Sequence, residues 1–229
     1  MKAAVLNAPQ TPLSIEELTL DKPGPTEAVI RVIAAGVCHS DLHFIEGTYP
    51  TRHPAVLGHE VAGIVSEIGS AVTNVSAGDR VIIGFVQPCG HCADCDSGRP
   101  NLCSQGAPRR ESPGLMRDGE AVTQMANVGG FAEYVITYAS GLVKVADDIP
   151  LEIAALVGCS VMTGYGAVVN TAGVTPGSTV AVIGAGGVGL NIIQAAALAG
   201  AEKVIAVDMV EHKLTTARDF GATDVIDAG

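Results

Sequence analysis

Between residues 153 and 201 the chain carries no charged side chain, and this stretch limits the possible folds more than any other feature. Its length would suit a membrane span. Glycines, Pro176, Asn170, Asn191 and Gln194 instead divide it into short apolar runs that read as strands and helices buried in a globule. Residues 179–183 form a continuous apolar strand, 189–198 a helix and 203–207 a second strand, an order that makes a parallel βαβ unit. Residues 224–226 suggest a third strand. Upstream, residues 151–169 have helical apolar spacing, interrupted at Gly158 and Gly164.

Gly184-Ala185-Gly186-Gly187-Val188-Gly189 fits G-x-G-x-x-G at the junction of that strand and helix. Glycines there permit a tight turn and close backbone approach, so that a pyrophosphate can rest on the unpaired N–H groups of the helix N-terminus. Asp208 closes the second strand nineteen residues past Gly189, where a carboxylate accepts hydrogen bonds from both hydroxyls of an adenosine ribose and repels a 2′-phosphate. This favours NAD over NADP. Lys213 lies within reach of the same ribose. The alternative is a βαβ turn followed by an incidental surface aspartate.

The first 150 residues have a different texture. Short β-type runs at 28–37, 61–69, 79–86 and 131–138, separated by Pro-Gly or Gly-Asp punctuation, predict an antiparallel, partly barrel-like domain. Residues 104–130 are polar and rich in Gly, Pro and Arg, and read as a long functional loop. The expected domains are therefore 1–150 and 151–229. Hydrophobic residues at 48% against 16% charged, with a mean hydropathy of +0.37, exclude disorder for the bulk of the chain. A net charge of −11 is the wrong sign for gripping nucleic acid or anionic lipid. The start, MKAAVLNAPQ, has no apolar h-region, so a reducing, cytoplasmic setting is expected, in which clustered cysteines favour metal ligation. Asn74-Val75-Ser76, a formal glycosylation sequon, reads there as a surface turn.

The six cysteines divide into four and two. Cys89-x2-Cys92-x2-Cys95-x7-Cys103 has the spacing of a closed tetrahedral zinc site, which can fold a lobe lacking its own core with binding energy on the order of 10 kcal/mol. An iron–sulfur cluster or disulfides are the alternatives. Cys38 and Cys159 could each be a buried hydrophobe. Their surroundings are polar, however: Cys38 opens Cys38-His39-Ser40-Asp41-Leu42-His43, and Gly58-His59-Glu60 lies between strand-like runs. Cys38, His59 and Cys159 together would leave a fourth position free, as in a catalytic zinc site. Spacing alone does not bring them together.

GHEVAGIVSEIGSAV from Gly58, CHSDLH, the four-cysteine run, Gly158-Cys159 and GAGGVG occur in an order that resembles the zinc-dependent medium-chain alcohol dehydrogenase family along the whole chain. The resemblance implies a GroES-like catalytic domain followed by the first half of a Rossmann domain, with two zinc ions and NAD. It implies that Cys38, His59 and Cys159 bind the catalytic zinc, with Glu60 close behind and Asp41 orienting His59. Ser40 matches the hydroxyl that meets the substrate oxygen and His43 the outer end of the proton relay. His39 matches the basic residue near the pyrophosphate, and Thr163 lies near the nicotinamide. Phe85 matches a wall of the substrate pocket and Met125 a second wall. The implied reaction interconverts a small alcohol and its aldehyde or ketone, with hydride passing to NAD. A thiol-adduct formaldehyde dehydrogenase of the same superfamily and a non-catalytic zinc-binding interaction protein are the alternatives. Family chains are longer, so the chain is expected to be a fragment of a longer, homo-oligomeric product, with the strand at Thr179 left as an apolar edge.

Overall fold

The β-type runs of the first half build open, mainly antiparallel sheets, and the glycine-rich second half builds a parallel one. The computed structural model describes residues 1–106 and 114–229, which divide into two units, Met1–Gly158 and Cys159–Gly229. In the first unit the strands are β1 (Lys2–Leu6), β2 (Ser14–Glu17), β3 (Thr19–Leu20) and β4 (Glu27–Gly36). Helix α1 (His39–Glu46) precedes β5 (Ala55–Val56), β6 (Glu60–Ile68) and β7 (Arg80–Ile83). A short helix α2 (Ala93–Asp96) is followed by β8 (Leu115–Arg117), β9 (Glu120–Ala121) and β10 (Thr123–Gln124). Then come β11 (Tyr134–Tyr138), β12 (Leu142–Lys144) and α3 (Leu151–Ala154).

The largest sheet runs β11-β4-β6-β7-β12, every neighbour antiparallel. Its long central strands β4 and β6 are apolar on both faces, which forces cover on both sides. One face carries Ala28, Ile30, Val61, Val65, Val81, Ile83 and Val135 in the main core. The other packs Ala62 against Leu151, Ala154 and Ala155 of the chain around α3. A second sheet runs β10-β5-β1-β2 and a third β3-β8-β9. Among the described residues all of these sheets are open, so the barrel-like character expected for this half does not extend to closure.

The long loop expected at 104–130 is also corrected. Within it lie β8, β9, β10 and a 3-10 turn at Met125–Asn127, while residues 107–113 fall outside the described residues. Three apolar anchors that the polar composition masked account for the order: Leu115 and Val122 pack with Ala3, Val5 and Val56, and Met125 with Leu6 and Leu57. Arg117 adds an ion pair to Glu16 at 2.8 Å.

The second unit contains α4 (Ser160–Gly166), β13 (Thr179–Ile183), α5 (Gly187–Leu198), β14 (Lys203–Asp208), α6 (Glu211–Asp219) and β15 (Asp224–Asp227). The three strands are parallel in the order β13-β14-β15, with Val182, Ile193, Ala196, Val204 and Ala206 in the shared core. Gly164 does not interrupt its helix as the spacing suggested. It lies inside α4, where a Cβ would come within 2.6 Å of Asn191 Cβ, so the glycine permits close approach of α5. β13 is an edge of this sheet, and Ile183 is 88% exposed. The charge-free stretch is thus divided among short elements, and no single described helix is long and apolar enough to cross a membrane.

Candidate active site and metal centres

The four-cysteine lobe is assembled by local turns. Cys92 is the N-cap residue of α2, Cys95 lies within that helix and Cys103 follows a 3-10 turn over Pro100–Leu102. The Sγ atoms are 3.5 Å apart for Cys92–Cys95, 3.8 Å for Cys92–Cys103 and 4.0 Å for Cys89–Cys95, and all four cysteines are free thiols. A tetrahedron with metal–sulfur bonds of about 2.3 Å has edges of about 3.8 Å, so these sulfurs fit a zinc ion. Backbone N–H groups of Cys89 and Gly106 donate to Cys103 Sγ, each at 3.3 Å. Such donation pulls the Cys103 thiol below its ordinary value, led by Cys89 N–H, and that of Cys92 down to about 6, led by Cys95 N–H. Desolvation, aided by the neighbouring sulfurs, pushes Cys95 up to about 12. The Cys92 and Cys95 thiols are thus pushed in opposite directions. A dication lifts that conflict, because metal binding favours every thiolate.

A second group of ligand-type side chains forms where β4 leads into α1 and where β6 begins. Ligand atoms of Cys38, His59 and Glu60 lie within 4.8 Å of one another, with His59 1% and Glu60 3% exposed. Asp41 holds the two segments together. One of its carboxylate oxygens accepts the Cys38 N–H at 2.9 Å, closing the first turn of α1. The other accepts the Gly58 N–H at 3.0 Å and lies 3.5 Å from His59 Nδ1. Asp41, itself 1% exposed, therefore fixes the backbone beside one candidate ligand and the ring of the other. A thiol and an imidazole, with a carboxylate behind the ring, suit zinc.

Cys159 is the first residue of the second unit, joined directly to Gly158. Gly158 is seated in the first unit, where a Cβ would lie 2.7 Å from the Ile83 carbonyl and 3.7 Å from that of His59. Ser40 and His43 share one face of α1. The His39 and His43 rings meet edge to face at 4.8 Å, and His43 also meets Tyr49 at 4.9 Å and Glu46 at 3.8 Å. Phe85 is 49% exposed and its ring stands edge-on to His59, the centroids 5.4 Å apart. Met125, expected as a second pocket wall, is 8% exposed and packs in the apolar cluster with Leu6, Ala55 and Leu57. Its side chain is core within this unit because the turn that carries it is anchored.

In the second unit the glycine turn is shaped as its spacing implied. Gly184 has φ +96°, a conformation favouring glycine, and a Cβ on Gly189 would lie 1.8 Å from the Gly184 carbonyl oxygen. Gly186 is the N-cap of α5, and Gly187, Val188 and Gly189 form its first turn. Asp208 ends β14 and accepts N–H bonds from Ala185 at 2.7 Å and Val210 at 3.0 Å. Chiefly through Ala185 N–H, and with help from Val210 and the charge of Lys213, its carboxyl is held below the ordinary range. Lys213 lies on α6, and Thr163 is exposed on α4.

Residues 24–147 match the alcohol dehydrogenase GroES-like domain, and residues 187–229 match the zinc-binding dehydrogenase domain. The chain belongs to the zinc-dependent medium-chain alcohol dehydrogenase family. It is 44% identical to the NDMA-dependent alcohol dehydrogenase of Amycolatopsis methanolica, over 97% of this chain and 62% of that protein. It is 41% identical to alcohol dehydrogenase B of Mycobacterium tuberculosis, over 98% of this chain and 62% of that one. The crystal structure of benzyl alcohol dehydrogenase from Acinetobacter calcoaceticus superposes with a TM-score of 0.91 at 36% identity, covering 99% of this chain and 63% of that chain. The chain thus spans about 62% of the length of the curated relatives it matches. In this family setting the open sheets are the GroES-like part, and β13-β14-β15 belongs to a Rossmann-type domain.

Two features of these sites were missed by sequence reasoning. Asp41 was expected to orient His59, but its bonds to Cys38 N–H and Gly58 N–H were not foreseen. The signal was present as Asp three residues after Cys38, an N-terminal helix pattern. Asp208 was read for ribose alone, yet its carboxylate also bonds the glycine turn.

Proposed function

We propose that the chain carries the catalytic domain and part of the nucleotide-binding domain of an NAD-dependent zinc alcohol dehydrogenase, interconverting a small alcohol and its aldehyde or ketone. The observation that carries this reading is the grouping of Cys38, His59 and Glu60 around the Asp41 brace, separate from the four-sulfur lobe. Cys38, His59 and Cys159 would hold the catalytic zinc, the last supported by the seating of Gly158 beside His59. Cys89, Cys92, Cys95 and Cys103 would hold the structural zinc.

Zinc supplies Lewis acidity, which lowers the pKa of bound water from 15.7 to about 7 and acidifies an alcohol in the same sense. Ser40 would take the substrate hydroxyl proton on its oxygen as it gives up its own, and His43, one turn along the same face of α1, would accept the proton leaving the site and release it to solvent. Phe85 covers His59 and bounds the substrate side of the site. His39 places a basic group for the cofactor phosphates and Thr163 a hydroxyl for the nicotinamide. Gly184 to Gly189 present the N-terminus of α5 to the pyrophosphate, while Asp208, with Lys213 beside it, selects the free ribose of NAD. A cytoplasmic setting, a small-molecule partner rather than nucleic acid or membrane, and a homo-oligomeric full-length form complete the proposal. The net charge of −11 supports its exclusion of polyanions.

The test is zinc analysis together with oxidation of primary, secondary and benzylic alcohols, using NAD, NADP and NDMA as acceptors on the intact protein. About two zinc ions per chain, with turnover abolished and one zinc retained in Cys159→Ala, is the expected result. Turnover that survives Cys159→Ala overturns the assignment.

A further inference from the structure

We infer that Gly36 is a positioning residue of the zinc site, acting through the Glu60 carboxylate. The inference rests on reading Cys38 and His59 as zinc ligands. Gly36 ends β4, two residues before Cys38, and pairs across the sheet with Glu60 at the start of β6. A Cβ at position 36 would lie 2.2 Å from Glu60 Oε2, 3.0 Å from Glu60 Cβ and 3.1 Å from Leu156 Cδ2. The carboxylate occupies the volume that any other residue would fill. Gly36 is not among the positive-φ positions, so its requirement here is spatial and not conformational.

The consequence reaches the ligand group. Glu60 is 3% exposed, and one of its carboxylate oxygens lies within 4.8 Å of the ligand atoms of Cys38 and His59. Held there, its carboxyl group stands beside the Cys38 sulfur and the His59 imidazole, where it can offer a divalent cation an oxygen. A methyl group at position 36 has to push that carboxylate aside. The end of a glutamate side chain is flexible, so the carboxyl group moves away from the ligand group, while Glu60 Cβ and Leu156 Cδ2, at 3.0 and 3.1 Å, have to give by less.

Zinc retention against a chelator tests this on the wild-type chain, Gly36→Ala, Glu60→Ala and the double variant, with the four-cysteine zinc as internal reference and circular dichroism reporting the fold. Gly36→Ala and Glu60→Ala are each expected to weaken the zinc at Cys38 and His59 by about 10- to 100-fold while leaving the lobe zinc in place. The double variant should be no weaker than Glu60→Ala alone, because the group that the new methyl displaces is already gone. Wild-type retention in Gly36→Ala, or a double variant showing the product of the two losses, overturns the inference. If Gly36→Ala fails to fold, Glu60→Ala in the same chain must restore folding. Failure to do so assigns the clash to Leu156 or to the Cβ of residue 60 and also overturns it. A wild-type chain that holds zinc only in the lobe removes the underlying reading first, and so identifies which of the two has failed.

Discussion

The four-cysteine lobe and the group around Cys38 and His59 present similar ligands built by opposite means. In the lobe, four sulfurs arrive from one short segment, placed by two tight turns and bonded by local N–H groups. Around Cys38 the ligands come from the end of β4 and the start of β6, which the β4–β6 pairing and a buried carboxylate bring together. A local site depends on metal for its shape, since few of its residues are buried. A site set on sheet strands depends on the fold, and metal is added to a frame that already stands.

That contrast is broken or kept by removing one ligand from the lobe. Cys92→Ser is expected to have the largest effect: zinc content falls from about two ions to one, and residues 89–103 become open to proteolysis. The remaining zinc should still be held at Cys38 and His59. Loss of both ions on metal analysis would mean that the two sites are not independent.

Asp41→Ala probes the other side of the comparison. Two backbone N–H groups lose their acceptor, each at a cost of about 1–3 kcal/mol where buried, and zinc at the second site should weaken by about 10- to 100-fold. Thermal melting and chelator competition measure the two losses. Asp41→Asn keeps an acceptor oxygen and should recover part of the stability. If Asp41→Ala melts like wild type, the strands alone hold the ligands and the carboxylate brace is dispensable.

The same division explains what could be read from the chain before its structure. The lobe is a matter of spacing, so its ligands and closed geometry follow from Cys89, Cys92, Cys95 and Cys103 themselves. The βαβ unit is likewise local, and strand 179–183, the turn and Asp208 lie where periodicity and glycine spacing put them. Cys38 and His59 were candidates only through polar surroundings and resemblance, because their meeting depends on the register that pairs Gly36 with Glu60. Pairing register is a long-range property that no window of sequence contains. The loop reading of 104–130 fails for a related reason: Leu115, Val122 and Met125 stand in short apolar pairs separated by polar residues and glycine, and their burial depends on partners such as Val5 and Leu57, more than 60 positions away.

Asp208 sharpens the comparison by offering a second carboxylate that joins distant backbone. Like Asp41, it accepts two N–H groups, one of them from the glycine turn 23 residues away. Unlike Asp41 it is partly exposed, so its loss should loosen the turn without unfolding the unit. Asp208→Ala is expected to speed amide exchange at Ala185 and Val210, weaken NAD binding and raise the relative tolerance for NADP. Unchanged exchange at Ala185 would limit Asp208 to the ribose.

The smallest effect concerns acid. Metal loss on acidification can compare the two sites only where the rest of the fold stays intact, and Glu16 sets one limit on that window. Its carboxyl is held at about 2, against an ordinary value of 4.5, by the Ser14 hydroxyl first and then by Arg117 and Asn7. Because the folded value lies below the unfolded one, the contribution is complete above about 4.5 and is lost as pH falls through about 2. Glu16→Gln should therefore lower the melting temperature at pH 7 by no more than about 4 °C. The difference from wild type should narrow below pH 4.5 and vanish near pH 2. Zinc release that occurs above pH 4.5 and is unaltered by Glu16→Gln then reports on the ligand sites themselves; release that follows the Glu16 variant would place the acid sensitivity in the β2–β8 contact.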